Sequence, residues 1–360
     1  MTADPARLTV LPAAATTVGS MPGTSVRDAV ALVVGEMTSG DGVPHLPELP
    51  ARGPGADLVG RTAGLLAAVA PDLAVETTPA GWRFADAPGR ESRRARSWLA
   101  EDLDAWEEAL EGFDGLVAVS LAGPWTSAAA IELRTGERAV RDPGACRDLA
   151  EALAHAALDH VADLRRRLPA AQVSLWLDEP ALPAVLHGLI PTQSGLGRYA
   201  AIDEPVVETA LRRIVEPLHA VGVPVVVHCC GARPPYDVFR RVGFDAVSAD
   251  LLLHDRRDDD PVGELLEAGI RLVAGVLPST DPPADQAADA PLSDVRASVA
   301  LVRDLGHRLG HGPEAIAEQV LVSPTCGLAG ASVEHVRATL TGVRAVGRGL
   351  REEEGRRGED

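Results

Sequence analysis

Eight short apolar runs, spaced by helix-length segments, constrain the fold of this 360-residue chain more than any other feature. They are Thr16–Ser20, Val43–Leu49, Leu116–Leu121, Val173–Leu177, Val223–His228, Ala246–Asp250, Leu272–Val276 and Val320–Ser323. They are apolar along their length and do not alternate, which is what strands of a parallel sheet covered on both faces require. The segments between them read as helices. Asp142-Pro143 offers an N-cap and a first-turn proline for a helix that runs to Arg165-Arg166-Arg167. Asp203-Glu204-Pro205 opens another that ends near Gly222, Ser293 caps one reaching Leu309, and Ser332 starts one reaching Leu350. Alternating strands and helices give a (β/α)₈ barrel or an open doubly wound sheet. No Gly-x-Gly-x-x-Gly follows the first run, which counts against a dinucleotide fold. The expectation is a single α/β domain, a TIM-type barrel over residues 1–350, with a charged, frayed tail over 351–360. Pro71 to Ser97 reads as a β-excursion, and Pro278 to Pro291 as a long loop after a strand.

Composition narrows the partners. A net charge of −18 repels nucleic acid and anionic membranes alike. No stretch reaches the roughly 18 uncharged apolar residues of a membrane span. Met1 to Val10 lacks a basic region followed by an apolar core, so it does not read as a secretory signal. Four unevenly spaced cysteines make no disulfide framework. A cytosolic chain keeps such cysteines reduced, and the expected location is cytoplasmic.

Polar residues of chemical interest sit at the C-terminal ends of the runs: Ser20, Glu48, Trp125, Asp178-Glu179, His228 and Cys230, Asp250 and Cys326. In a barrel these ends converge on the face where active sites are built. His228 and Cys230 are two apart, so in an extended segment both side chains point the same way. With Cys326 and Asp250 from other strand ends they make a set of two sulfurs, one imidazole and one carboxylate, suited to tetrahedral Zn²⁺. The alternative is that the cysteines are small buried hydrophobes and His228 a hydrogen-bonded core residue. Cys229 points to the other face and reads as packing. Cys146 falls in a helical pattern and reads as core or surface, and His155 and His160 read as helix-surface residues. Adjacent carboxylates at Asp178-Glu179 end an apolar strand, where burial penalises charge. One of them suits a substrate ammonium group and the other suits holding a loop. Gly19-Ser20-Met21-Pro22 is a tight strand exit that offers a hydroxyl and N–H groups to a carboxylate, or else a plain turn. Glu48 alone reads as a loop carboxylate. Trp125 lies where a planar donor would stack, or in the core.

Taken in order, Thr16-Thr17-Val18-Gly19-Ser20-Met21-Pro22, Asp178-Glu179-Pro180-Ala181-Leu182, His228-Cys229-Cys230 and Pro324-Thr325-Cys326-Gly327-Leu328 resemble the C-terminal catalytic barrel of cobalamin-independent methionine synthase. The family's fold is a TIM-type barrel related to uroporphyrinogen decarboxylase. The resemblance implies a zinc enzyme that methylates homocysteine. It implies His228, Cys230 and Cys326 as zinc ligands, with Asp250 at the place of a ligating glutamate. It also implies Ser20, Glu48 and Asp178 as contacts to the carboxylate and amino groups of homocysteine. Two departures concern the methyl donor. The longer form of the enzyme carries an N-terminal barrel that helps bind the folate, and this chain is expected to lack it. The family's catalytic histidine after the seventh strand has no counterpart in Gly275-Val276-Leu277-Pro278-Ser279-Thr280-Asp281. The donor is then 5-methyltetrahydrofolate or another carrier, including a methyl-carrier protein. A corrinoid-dependent thiol alkyltransferase, a metal-free decarboxylase-like barrel and a non-catalytic barrel that binds a thiol metabolite are the rival readings.

Overall fold

The computed structural model describes residues 8, 10–39, 41–282 and 294–352. Its strands, in chain order, are β1 (Val75–Thr78), β2 (Gly81–Phe84), β3 (Leu116–Ala122), β4 (Ile131–Glu132), β5 (Gln172–Asp178), β6 (Val225–Cys229), β7 (Ala246–Asp250), β8 (Arg271–Leu277) and β9 (Val320–Pro324). β3, β5, β6, β7, β8 and β9 form one parallel sheet in that order. Each corresponds to a predicted apolar run, and nearly every residue in them is buried, as helices on the outside and a filled interior demand.

The first two predicted runs are not ladder strands. Segments 15–20 and 42–48 pair with each other through Ala15–Gly42 and Ser20–Glu48, and they reach both edges of the sheet. Ala15 bridges to Val322 on β9, and His45 bridges to Ala118 on β3. The cause is local. Pro44 and Pro47 have no N–H to give a ladder, and Gly19 (φ +83°) turns the chain out of the extended region. The result is an α/β fold whose six-stranded parallel sheet curls toward a sparse seam.

The excursion after Pro71 is an antiparallel hairpin of β1 and β2, with β4 added in parallel beside β2. Helix caps follow the sequence. The Asp142 carboxylate accepts from the N–H groups of Gly144 and Ala145 at the start of the helix Pro143–Arg167. The predicted cap Ser293 lies outside the described residues, and Asp294 accepts from Ala297 N (2.9 Å) at the start of Val295–Arg308. Most of the proposed long loop, from residue 283 on, also lies outside them. The boundary of the tail is corrected. Arg351 and Glu352 continue the last helix, Val333–Glu352, and Arg351 is held by Asp41 and by the carbonyls of Pro12 and Ala13. Among the described residues, no helix is long and apolar enough to cross a membrane.

Candidate metal centre

His228 lies near the C-terminal end of β6, in register with Asp178 on β5 and Ser248 on β7. Its ring is buried. Nδ1 is hydrogen-bonded with Ser248 Oγ at 2.9 Å, while Nε2 is buried without a partner. Cys230 follows two residues later, and Cys326 comes two residues after the end of β9. Both cysteines are half-buried, and their sulfurs stand 3.3 Å apart. Ligand atoms of His228, Cys230 and Cys326 all lie within 4.8 Å of one another.

A backbone irregularity carries Cys326 into place. The β8–β9 register shifts between Gly275 and Leu277, and Thr325 N donates to Leu277 O. A side chain at Gly275 would sit 2.9 Å from Thr325 Cα and 2.8 Å from Ala249 O, so only glycine lets the segment before Cys326 pass this close. The hydrogen bond between the two sulfurs, with His228 beside them, pulls Cys326 well below the ordinary thiol range, to about 4. The same pairing, together with burial, pushes Cys230 up. An orphaned buried imidazole nitrogen beside two sulfurs that share a proton fits a soft divalent ion such as Zn²⁺.

Asp250 ends β7 but stands outside this group. Its Oδ1 accepts from Leu252 N at 2.8 Å. Burial raises its pKa, and it feels the charges of Cys326 and His228, so it is a neighbour of the centre.

A second set of carboxylates faces the same space. Asp178 and Glu48 are both buried, and each has one oxygen that makes no hydrogen bond, Oδ1 of Asp178 and Oε1 of Glu48. Burial pushes Asp178 well above the usual carboxylate range, with further contributions from Glu48, Cys326 and Glu179. Burial pushes Glu48 up to about 7, against the lowering effect of the Arg61 guanidinium. Ser20 bridges to Glu48, and a side chain at Gly327 would come within 2.0 Å of Ser20 Oγ. Ser20 therefore packs directly on the turn that follows Cys326.

Residues 13–348 match the family described as cobalamin-independent synthase, catalytic domain. The chain belongs to that family. Its fold resembles that of a B12-independent methionine synthase from Shewanella sp. W3-18-1 solved in complex with selenomethionine. The identity is 14%, the match covers 96% of this chain and 99% of that one, and the TM-score is 0.60. A variant of methylaspartate ammonia lyase from Clostridium tetanomorphum matches with 11% identity over 95% of this chain and 58% of its own, at a TM-score of 0.44. No curated protein matches the sequence. A methyltransferase of methionine biosynthesis is the enzyme type this membership assigns.

Within this synthase the adjacent carboxylates at the end of β5 divide their labour. Asp178 lies beside His228 and feels the charge of Cys326. Glu179 faces the other way and accepts from Trp125 N (2.9 Å), Thr126 N (2.7 Å) and Thr126 Oγ1 (2.8 Å), which fixes the segment after β3. Trp125 is a correction to the donor-stacking expectation. It is buried among the outer helices, and its indole N–H points to Val207 O at 3.5 Å. Its neighbour Pro124 starts a helix whose N-terminal N–H groups Glu179 claims, and this turns the indole toward the helix Glu204–Ala220. Cys229 and Cys146 are core residues. His155 is exposed, but His160 is buried, contrary to the surface reading, because it continues the apolar stripe of Leu153, Ala156, Ala157 and Leu164.

Three residues of interest had not stood out in the sequence. Ser248 had a readable signal, as a lone polar side chain inside the apolar run Ala246–Asp250. Arg61 and Asp102 had none, since a charged residue in a helix ordinarily reads as solvated.

Proposed function

We propose that this chain is a zinc-dependent methyltransferase that transfers a methyl group to the thiol of homocysteine to give methionine. The observation that carries the reading is the group His228, Cys230 and Cys326 beside the buried carboxylate of Asp178, whose Oδ1 has no partner and which feels the charges of both Cys326 and Glu48. The family match supports it, and the selenomethionine bound to the Shewanella enzyme is in keeping with an amino-acid site of this type. The architecture is taken as a TIM-type (β/α)₈ barrel in one domain, in which segments 15–20 and 42–48 fill the first two strand places.

His228, Cys230 and Cys326 would hold Zn²⁺, with Asp250 taking the fourth place when it lets go of Leu252 N. When bound, the ion supplies the acidity that turns a substrate thiol, with an ordinary pKa of about 8.5, into a thiolate at neutral pH. The protein's own groups do the rest. Ser248 keeps the His228 ring aimed. Asp178 and Glu48 take the ammonium group of homocysteine, and Ser20 its carboxylate. Held at both ends, the acceptor sulfur is oriented for in-line attack on the donor methyl. A new S–C bond forms as the donor–methyl bond breaks, and the electron pair of the broken bond leaves with the donor. The donor is 5-methyltetrahydrofolate or another carrier. The histidine-free stretch Gly275–Asp281 favours a donor presented differently from the longer enzymes, a methylated corrinoid included.

The test is Cys230→Ser, followed by measurement of bound zinc and of homocysteine methylation on a panel of donors. Loss of both is expected. Unchanged zinc content and an unchanged rate would sink the reading.

A further inference from the structure

Behind Glu48 lies a buried chain of alternating charges. Arg61, on the helix Leu58–Val69, brings Nη1 to 3.6 Å from Glu48 Oε1. Its Nη2 donates to Pro47 O at 3.1 Å and to Oδ2 of Asp102, on the helix Arg90–Ala109. Arg52 donates to the other oxygen of Asp102. Arg61 and Asp102 are both almost wholly buried. The helix that carries Arg61 is pinned to the sheet one residue later, where Thr62 Oγ1 accepts from Ala122 N at 2.8 Å.

Removing one member of a buried ion chain leaves a bare charge, so such a chain is retained only where geometry or function requires it. Here one end is satisfied twice over, while the other is held by a single, longer ion pair. Asp102 has a cation on each oxygen. Glu48 has a single cation, 3.6 Å from an Oε1 that makes no hydrogen bond, and its charge acts on the neighbouring Asp178. The chain is complete except where a further cation would enter.

We propose that Arg61, clamped by Asp102 and the Pro47 carbonyl, is a positioning residue that keeps the Glu48 carboxylate charged and aimed at the acceptor's ammonium group. This rests on the reading above, in which Glu48 and Asp178 take that group. The groups facing Glu48 are Arg61 and Asp57 at one helix start, Asp102 on the second helix and Asp178 on β5. Three of these are acids, and Arg61 opposes them. Burial, with Asp57 and Asp102, lifts Glu48 to about 7 even with Arg61 beside it, and loss of the guanidinium would push it higher still. Two imidazoles that feel Arg61, His45 and His160, are pushed down to about 3 and about 4, chiefly by burial, and stay neutral. They cannot replace its charge.

The experiment compares two acceptors on zinc-loaded protein by calorimetry: homocysteine, and 4-mercaptobutanoate, which keeps the thiol and the carboxylate but lacks the amino group. The wild type should prefer homocysteine. Arg61→Met should weaken homocysteine about tenfold or more and the amino-free thiol less than about twofold. The preference should also fade at a higher pH than in the wild type. Arg61→Lys should recover most of the loss. If Arg61→Met fails to fold, Asp102→Asn makes the same comparison by loosening the clamp. An equal loss for both thiols, or no loss for either, overturns the role of Arg61. A wild type that binds both thiols equally overturns the ammonium reading itself and the inference with it.

Discussion

The imidazole of His228 is tied through Nδ1 to the hydroxyl of Ser248, its register partner on the adjacent strand, 2.9 Å away. This contact leaves Nε2 free for an ion and fixes the plane of the ring. Partners of this kind tune ligand affinity by roughly ten- to a hundredfold. Ser248→Ala is expected to fold normally and to lose zinc affinity in that range. Competition with a chromogenic chelator measures it, and an unchanged affinity would show that the hydroxyl is a bystander.

Metal removal should change thiol chemistry selectively. Cys230 and Cys326 are half-buried and share the centre, whereas Cys146 and Cys229 are buried in the core. Burial also pushes the Cys229 thiol up to about 12 and Cys146 to about 11, which keeps both protonated. Chelation should expose two thiols to alkylation, and re-addition of zinc should protect the same two. Mass spectrometry of the alkylated peptides decides the matter. Equal labelling with and without zinc would contradict the proposed ligands.

Gly123 is a steric requirement of the Glu179 cradle. A Cβ there would stand 2.3 Å from Glu179 Oε1. Gly123→Ala must move a carboxylate held by three donors. The expected cost is about 2–3 kcal/mol, measured by urea unfolding, with zinc binding retained.

Glu48 predicts a pH signature of stability. Its folded pKa of about 7 lies above the ordinary 4.5, so the folded state favours the protonated form. That contribution is complete below about 4.5 and is lost as pH rises through 7. Glu48→Gln removes the titration. It should match the wild type near pH 5 and exceed its stability by about 1–3 kcal/mol at pH 8, while binding homocysteine less well. Denaturant melts at the two pH values test the sign. A wild type that is the more stable at pH 8 would mean that Arg61 repays the whole cost of ionising Glu48.

The six laddered strands were legible because each is a short, mostly apolar run buried on both faces. The run at Ala246–Asp250 is even matched residue for residue. Segments 16–20 and 43–49 carry the same apolar signal, but prolines at 44 and 47 thin their pairing, and hydropathy does not register a missing N–H. His228, Cys230 and Cys326 were found from their places at strand ends, and the structure groups them. Asp250 was chosen by the same rule and lies beside the group, because the end of a strand does not specify a rotamer. Trp125 followed that rule as well and turned outward. Arg61 and Asp102 are separated by 41 residues on two helices, and one of those helices is rich in solvated charge. Their pairing is a property of helix packing and has no local pattern in the chain.

The seam has a mechanical consequence. The proposed metal donors are carried at the ends of β6 and β9, on the continuous ladder, whereas Ser20 and Glu48 are carried on two segments joined by isolated bridges. In the proposed site, the side that carries the donors would be the stiffer one and the side that carries Ser20 and Glu48 the more compliant. The proposed amino-acid acceptor would settle by flexing the more compliant side while the donor atoms keep their spacing. Amide protons at Val43 and Leu46 would accordingly exchange with deuterium sooner than those of Val226 and Val227.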